Sequence, residues 1–304
     1  MGGDTRSNMS SASTYPVLAS RPVGKQIHSI YRDRLQQFAD NGQYKEQGIL
    51  SLYTLPGDPQ ADAGASKLYE GRASGEPHIK LSVYSPPDLS RPTFKEATSS
   101  KNKFRPTKVG EAFGPSWSTH WFRVALTVPP HLLSCASKHL ELHWDAGNEG
   151  LVWSERGEPL QGLTGGGERV EWILPKEFKD GREHVFYVEM ACNGMFGNAP
   201  GGDSIQPPKP DRYFTLREAD VVAVDLEARA LHLDFWIIGD AAREFPEDTW
   251  EEHEALQVCN SIMDCFIAGK GSHDCIVECR KIAKKYLGDD VDSAKVYDND
   301  KEAI

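Results

Sequence analysis

Pairs of metal-binding side chains occur at two places in the sequence. His139 and His143 are four residues apart in a run that alternates apolar and polar residues. On a strand, two such residues share a face but lie about 13 Å apart, so their imidazoles cannot bind one zinc ion. We therefore interpret these polar positions as the solvent-facing side of a strand. Cys275 and Cys279 have a helical spacing without any CxxC pair, and this pattern favours buried thiols over a zinc cluster.

Motifs for phosphate binding and nucleophilic catalysis are absent from the sequence. The glycines at 165–167 lack both the Lys-Ser/Thr of a P-loop and the spacing of a dinucleotide fingerprint, which predicts a simple turn. The segment 114–118 contains a proline and no final glycine, so it is not a nucleophile elbow. Among 45 Asp and Glu residues, carboxylate pairs for glycoside hydrolysis arise by chance. We therefore assign no role to the available acids, which are Asp145, Glu149, Asp234, Asp240 and Glu244.

Aromatic residues carry a stronger signal. Five of the seven tryptophans fall between positions 117 and 172, and Trp117 precedes its strand in a Gly-Pro-Ser loop, where we expect it to be exposed. Tryptophan faces pack cores but also stack on sugar rings. Two connecting segments, 193–198 and 239–246, add polar and apolar side chains. The candidate residues for contact with carbohydrate or with another domain are Trp117, His120, Trp153, Asn193, Met195, Phe196, Asp240 and Arg243. No residue is assigned a catalytic or metal-binding role.

These candidates need a scaffold, and the central part of the chain predicts one made of strands. Runs of five to nine residues alternate between apolar and other side chains and are separated by Gly, Pro or Asp. This pattern is typical of an antiparallel sandwich, and the chain shows no strand–helix alternation of a doubly wound sheet. The predicted strands are 120–128, 139–144, 150–154, 169–174, 183–191, 219–226 and 230–238.

Helices are predicted at both ends of this region. Apolar spacing indicates a surface helix over 27–38, ended by Asn41-Gly42. After Pro246 the spacing becomes helical again and indicates a helical hairpin, whose apolar face would be exposed if it normally packs on another domain. The predicted fold is thus mainly β, an antiparallel β-sandwich with an N-terminal helix and a C-terminal αα-hairpin. The predicted regions are a disordered tail 1–14, a helix with irregular segments 15–115, a β-sandwich 116–246, a helical hairpin 247–288 and an acidic linker 289–304.

Composition limits the classes of function. The 304 residues are 39% hydrophobic and 26% charged, which excludes a membrane protein or a wholly disordered chain. The net charge of −11 argues against general nucleic-acid binding, because phosphate contacts need clustered Lys and Arg. Neither a transmembrane run nor a secretory signal is recognisable, and the six cysteines are thinly spread. We therefore expect a cytoplasmic protein with reduced thiols that contacts no membrane.

Several segments resemble the N-terminal region of the glycoside hydrolase family 38 α-mannosidases of the fungal vacuolar and cytosolic type. Two specific ones are Phe-Gly-Pro-Ser-Trp-Ser-Thr-His-Trp-Phe at 113–122 and Ala-Cys-Asn-Gly-Met-Phe-Gly-Asn at 191–198. The others are 15–16, 32–35, 42–44, 149–153, 160–167 and 234–246, so the resemblance extends over 15–297. The strand and prolines at 121–130 are also similar to galactose-binding-type sandwiches of glycosidases, and a jelly-roll or galactose-binding-like fold is implied.

The resemblance also implies an activity, but not for this chain alone. Family members are retaining, zinc-dependent enzymes that hydrolyse terminal α-mannosides, with zinc and an Asp nucleophile in an α/β domain that opens with Gly-His-x-His-x-Asp-x-x-Trp. None of the ten histidines here forms His-x-His, so those ligands and that nucleophile correspond to no residue of this sequence. We therefore expect a non-catalytic front portion, inactive by itself and without a cofactor of its own.

The same resemblance implies the partners and the location. The expected partners are the catalytic domain of the same polypeptide and further copies in a homo-oligomer, and the expected location is the cytoplasm with delivery to the vacuole. Two alternatives stay open at this point. One is a stand-alone carbohydrate-binding module that binds mannosides, and the other is an oligomerisation scaffold without a ligand.

Overall fold

The computed structural model describes residues 30–35 except 32, residues 69–288 except 136–137, 166–168, 194–208 and 271, and the single residues 291 and 293. The chain divides into two compact units. The first is built around Leu52–Ala230 and contains the strands, and the second is built around Leu231–Val296 and contains the long helices.

The strand unit is an antiparallel sandwich. Its strands are β1 Tyr69–Ser74, β2 Ile79–Tyr84, β3 Arg105–Thr107, β4 Ala112–Phe113, β5 Thr119–Thr127, β6 Leu140–Asp145, β7 Glu149–Ser154, β8 Pro159–Thr164, β9 Glu171–Ile173, β10 Glu183–Ala191, β11 Phe214–Thr215 and β12 Glu218–Val224. They form a six-stranded sheet in the order β3-β2-β5-β10-β7-β8, a four-stranded sheet in the order β1-β12-β6-β9, and the pair β11-β4.

The core lies between the two larger sheets. Along β5, Phe122, Val124 and Leu126 are fully buried because every second side chain of a strand points to the same face. The four-stranded sheet contributes Leu142 and Trp144, and the Trp144 ring meets the Phe122 ring edge-on at 5.0 Å between centroids. The inward faces predicted for β5, β6 and β10 are therefore confirmed, as is the antiparallel β-sandwich class.

The sandwich begins earlier in the chain than the predicted limit of residue 116. Strands β1 to β4 lie between Tyr69 and Phe113, in stretches that the sequence analysis interpreted as loop or irregular. β2 pairs with β5 from Ile79–Leu126 to Tyr84–Trp121, so it is an inner strand of the six-stranded sheet. The prediction failed because the glycines and prolines around these short strands are signals for loops, and the strands are too short for their own alternation to be recognised.

The predicted strand 230–238 is wrong, because these residues belong to a helix. Two short helices, α1 Phe94–Ala97 and α2 Pro130–Leu133, lie among the strands. The long helix α3 follows them and covers Leu226–Glu244. The buried residues Leu231, Phe235, Ile238 and Ala242 recur at intervals of three or four, which is a helical spacing. A short apolar run fits both periods, and the longer pattern decides for the helix. Residues 239–244 are therefore helical and not a connecting loop.

The helical unit contains the predicted hairpin. Its helices are α4 Trp250–Ala268 and α5 His273–Leu287, and the side chains of Thr249 and Ser272 accept a backbone N–H at their N-termini. Leu256 and Met263 are buried, whereas Trp250 is 76% exposed. Leu256 and Met263 are therefore not part of an exposed apolar face, which was expected if the hairpin normally packs on another domain, whereas Trp250 is exposed.

The N-terminal prediction concerns few described residues. Those of 30–35 are helical, in agreement with the helix predicted over 27–38, while Asn41-Gly42 and the segments 1–14 and 294–304 lie outside the described residues. All six cysteines are described and none forms a disulfide. No helix of the described part is both long and apolar enough to cross a bilayer.

Candidate functional site

The turn before β5 contacts Cys192 and Lys209, which lie on either side of the undescribed segment 194–208. The backbone N–H of Trp117 donates to the carbonyl of Cys192 at 2.8 Å, and the backbone N–H of Lys209 donates to the Ser116 hydroxyl at 2.6 Å. Trp117 has φ of 68°, in the left-handed region that few non-glycine residues adopt. This turn therefore holds Cys192 and Lys209 next to the start of β5. Met195 and Phe196 fall outside the described residues.

His120 is a buried structural residue rather than an open ligand. Its Nε2 lies 2.9 Å from the Ser118 hydroxyl and its Nδ1 lies 2.8 Å from the Ser85 hydroxyl, so both ring nitrogens are occupied. Burial lowers the pKa of His120 to about 4, which keeps the imidazole neutral near pH 7. Trp117, expected to be exposed, is half-buried, with the Arg91 guanidinium 5.5 Å from its ring centroid.

The side chains of Trp153 and Asn193 each donate a hydrogen bond to a carboxylate, and the two carboxylates lie on neighbouring strands. The Trp153 indole N–H donates to Glu189 Oε2 at 3.1 Å, and the Asn193 amide donates to Glu149 Oε2 at 3.0 Å. β7 and β10 pair directly, with Glu149 opposite Ala191. Burial raises the pKa of Glu189. The two predicted residues thus belong to one small polar region.

A cleft of about 410 Å³ opens in this region, and we treat it as the candidate site. Its lining combines two carboxylates with a guanidinium and a hydroxyl, which are groups that bind the hydroxyls of a polar ligand. The lining residues that carry this chemistry are Glu149, Thr164, Arg169 and Glu189. The sequence analysis missed Arg169 and Glu189, although the polar position of Glu189 between the buried Val188 and Met190 was the available signal.

The Trp153 ring is not a free platform. The Phe94 ring stacks on it with 5.7 Å between centroids, and the buried Trp121 ring lies 5.7 Å away on the same face of the sheet. Tyr187 contacts Phe94 edge-on at 5.3 Å. The sequence analysis did not anticipate this cover, because Phe94 belongs to a short helix within a proline-rich stretch.

Asp240 and Arg243 belong to helix α3 in the helical unit. They form an exposed ion pair one turn apart, and the Arg243 guanidinium lies 5.7 Å from the ring of Trp236. Asp234, one of the five acids available for a carboxylate pair, is buried and paired with Arg280. Asp234, Asp240 and Arg243 therefore each form an ion pair with another residue of the helical unit.

The polar face of β6 is buried, which corrects the prediction that it faces solvent. Glu141 is fully buried, its two oxygens lying 2.9 Å from His139 Nε2 and 3.1 Å from His143 Nε2. Arg229, in the first turn of α3, donates to both oxygens, through Nη2 at 2.8 Å. The two histidines of the weighed zinc pair therefore share a carboxylate that a guanidinium already neutralises, and a cation would be repelled there.

This ionic cluster continues onto β12 and β1. Nδ1 of His143 lies 3.5 Å from Glu218, and Arg72 donates to Glu218 at 2.9 Å and to Asp220. Burial alone would raise the pKa of Glu141, but hydrogen bonds from Arg229 and the two histidines hold it well below its usual range. Burial alone would lower the pKa of His143, yet hydrogen bonds to Glu141 and Glu218 raise it.

The zinc ion implied by the resemblance has no suitable ligands here. A catalytic zinc site needs His or carboxylate ligands and an open position. Within the described residues, the one close group of three metal-binding side chains consists of cysteines, Cys265, Cys275 and Cys279. These residues do not fit the catalytic zinc, and no hydrolytic step is assigned to them.

Comparison with known proteins agrees with the resemblance. The family described as "Alpha-mannosidase, jelly roll domain" matches residues 76–222. An α-mannosidase of Saccharomyces cerevisiae is 36% identical over 300 residues, which cover 93% of this chain and 26% of that protein. α-Mannosidase G of Dictyostelium discoideum is 32% identical over 72% of this chain and 19% of its own length. Human α-mannosidase 2C1 is 35% identical over 62% of this chain and 17% of its own length.

The chain thus spans about a quarter or less of these relatives. The family match covers strands β2 to β11 and most of β12, and so includes all of the sandwich strands except β1 and the end of β12. Residues 76–222 of this chain thus match the jelly-roll domain of the α-mannosidases.

Proposed function

We propose that this chain is the non-catalytic front part of an α-mannosidase that hydrolyses terminal α-mannose residues of oligosaccharides. In this proposal it supports a catalytic domain of the same polypeptide, which binds the zinc ion, and it contributes to a homo-oligomer. The protein resides in the cytoplasm and is delivered to the vacuole. Neither nucleic acid nor a membrane is among its partners.

One observation carries the proposal. Two groups of the described sandwich that could do chemistry, His120 and the cluster around Glu141, are enclosed by structural partners. His120 lies between two serine hydroxyls, and Glu141 is neutralised by Arg229 and flanked by two histidines. Such groups stabilise a domain, whereas catalytic groups must reach a substrate.

The test uses an antibody raised against this chain and an extract of the host. We expect an immunoblot band far above 33.8 kDa, and we expect immunodepletion to remove α-mannosidase activity from the extract. A band at 33.8 kDa with undiminished activity after depletion would overturn the proposal. Purified chain that released mannose from an α-mannoside in a zinc-dependent manner would overturn its non-catalytic part.

Carbohydrate binding is a second candidate function, and the cleft beside Trp153 favours it. Glu189 would accept hydrogen bonds from sugar hydroxyls, while Arg169 and Glu149 supply further polar contacts. The binding partner in this case is a mannoside, bound weakly because the cleft is open to solvent.

Titration calorimetry with methyl α-mannoside tests this second function. We expect weak binding by the chain and loss of binding in Glu189→Gln. Glu183→Gln is the matched control, because Glu183 lies on the same strand but pairs with Lys80 on the surface, at 2.9 Å. Absence of heat at high sugar concentration, or equal binding by both variants, would rule the cleft out. Trp117→Ala is less informative, since it would also remove the ring beside the Arg91 guanidinium.

A further inference from the structure

Three cysteines converge where the helical hairpin turns. Cys265 lies in the last turn of α4, Cys275 in the first turn of α5 and Cys279 one turn later. Their Sγ atoms all lie within 4.8 Å of one another. Cys275 and Cys279 are buried and Cys265 is half-buried, so the group borders solvent on one side only.

The chain is shaped to bring these sulfurs together. The Ser272 hydroxyl accepts the backbone N–H of Cys275 and so begins α5 at this point. Gly269 lies against Cys275, where a Cβ atom on residue 269 would be only 2.2 Å from the Cys275 Cβ. Any larger residue would push the two helix ends apart. The close approach of the thiols therefore depends on a glycine in the connection.

The described contacts of the Cys275 and Cys279 thiols include hydrogen bonds to backbone carbonyls. Cys275 Sγ donates to the Cys265 carbonyl at 3.5 Å, and Cys279 Sγ donates to the Ile262 carbonyl at 3.6 Å. A thiol is a weak donor, so these contacts contribute little. Burial raises the pKa of Cys279, which keeps its thiol protonated while no cation is near.

The distances suit a metal ion. With metal–sulfur bonds of about 2.3 Å, three sulfurs around one ion lie about 4.0 Å apart, so each sulfur would move by less than about 1 Å. Thiolates are soft ligands that select copper(I) and zinc among the common metals. Cys275 is also at the N-terminal end of α5, where the helix dipole stabilises negative charge.

We propose that Cys265, Cys275 and Cys279 form a binding site for one thiophilic metal ion, held by three thiolates. No His, Asp or Glu of the described residues joins this group, so the protein ligands are sulfur alone. Up to three protons leave to solvent when the ion binds, one from each thiol. Copper(I) is satisfied by three sulfurs, and zinc would complete its shell with water at the half-buried Cys265.

The test uses the whole chain, reduced and freed of metal by a chelator under anaerobic conditions. Cobalt(II) is titrated first, because thiolate-to-cobalt charge transfer produces a near-ultraviolet band that carboxylate or imidazole ligation does not. We expect saturation at one ion per chain and displacement of cobalt by zinc. Competition against chromophoric chelators for zinc and for copper(I) then shows which ion binds more tightly.

Variants locate the site. We expect Cys275→Ser and Cys279→Ser to weaken cobalt binding at least tenfold. Cys259→Ser is the matched control, because Cys259 is a buried cysteine of the same helix α4 that lies outside the group, and it should bind as the unmodified chain does. Circular dichroism verifies that each variant is folded.

A measurement on the unmodified chain avoids the risk that a variant fails to fold. Mass spectrometry after iodoacetamide treatment should show Cys265 alkylated in the metal-free chain and protected by stoichiometric zinc or copper(I). Absence of a charge-transfer band at stoichiometric cobalt, with equal alkylation of Cys265 with and without either metal, would overturn the site. Equal cobalt binding by a folded Cys279→Ser variant would overturn it as well.

Discussion

The two sheets of the sandwich bury their outward faces by different means. The six-stranded sheet is covered by rings, with Phe94 against Trp121, Trp153 and Tyr187. The four-stranded sheet buries charge, with Glu141 between Arg229 and two histidines. Ring contacts are weakly directional and degrade gradually, whereas a buried charge is stable only while its partners are complete. The comparison therefore predicts two different responses to substitution.

The largest effect is expected at the charged face. Glu141→Leu removes the carboxylate and leaves the buried Arg229 unneutralised, which should lower the free energy of unfolding by about 3–5 kcal/mol. Urea denaturation monitored by circular dichroism measures this. The double variant Glu141→Leu with Arg229→Met should recover part of the loss, because no unpaired guanidinium is then buried, although His139 and His143 still lack their carboxylate partner. A double variant as unstable as the single one would contradict this explanation.

A smaller effect is expected at the aromatic face. Phe94→Ala removes one half-buried ring and should cost about 2–3 kcal/mol, while Phe94→Leu should cost about 1 kcal/mol because apolar area is retained. The same denaturation experiment gives both values, and tryptophan fluorescence should shift to the red as Trp153 becomes more exposed to water. If Phe94→Leu lowered the free energy of unfolding as much as Phe94→Ala, the aromatic face would require its ring as specifically as the charged face requires its ion pairs, and the proposed difference between the two sheets would be wrong.

The pH dependence should differ in sign between one histidine of each sheet. The pKa of His143 is raised in the folded state, so its contribution is complete below about pH 6.5 and is lost as the pH rises through the folded pKa. The pKa of His120 is lowered to about 4, so its contribution is complete above about pH 6.5 and is lost as the pH falls toward 4.

Urea denaturation across this pH range tests the difference. Relative to the unmodified chain, His143→Gln should lose most stability on the acid side and His120→Gln on the alkaline side, each changing by up to about 1.4 kcal/mol per pH unit. Parallel pH profiles for the two variants would contradict this prediction, because they would mean that folding shifts the pKa values of His143 and His120 in the same direction.

The smallest effect concerns the helix that carries Phe94. The Glu96 carboxylate accepts from both the backbone N–H and the hydroxyl of Thr93, each at 2.8 Å. Thr93→Ala should cost about 0.5–1 kcal/mol, and Thr93→Ser should cost less because the hydroxyl remains. In the background of Phe94→Ala the cost should shrink, since the helix then covers nothing. An unchanged cost in that background would mean that the cap acts independently of the ring cover.

Sequence reasoning succeeded where one local period sufficed. The inward residues of β5 and β10 occupy every second position of their strands. Once Phe122 or Phe186 is placed in the core, the alternation therefore predicts which other residues of the same strand are buried with it. It failed for α3, because its apolar run fits two periods. It also failed for the polar face of β6, because Glu141 is buried with a partner 88 residues away in the sequence, which no local pattern reveals.

The candidate cleft shows the same division. Trp153 and Asn193 were chosen from motifs, and the structure places both beside carboxylates on adjacent strands. Arg169 and Glu189 were missed, because their meeting depends on the order of strands in the sheet rather than on their position in the sequence.

The edges of the six-stranded sheet bear on how copies of this chain could associate. β3, one edge strand, has three residues, and its central residue is Pro106. β8, the other edge strand, begins with Pro159. A proline offers no N–H to an incoming strand, and short or proline-bearing edges resist the pairing that joins sheets of separate molecules. Copies of this protein should therefore associate through contacts between side-chain surfaces, and no strand of another copy should pair with the edges of this sheet.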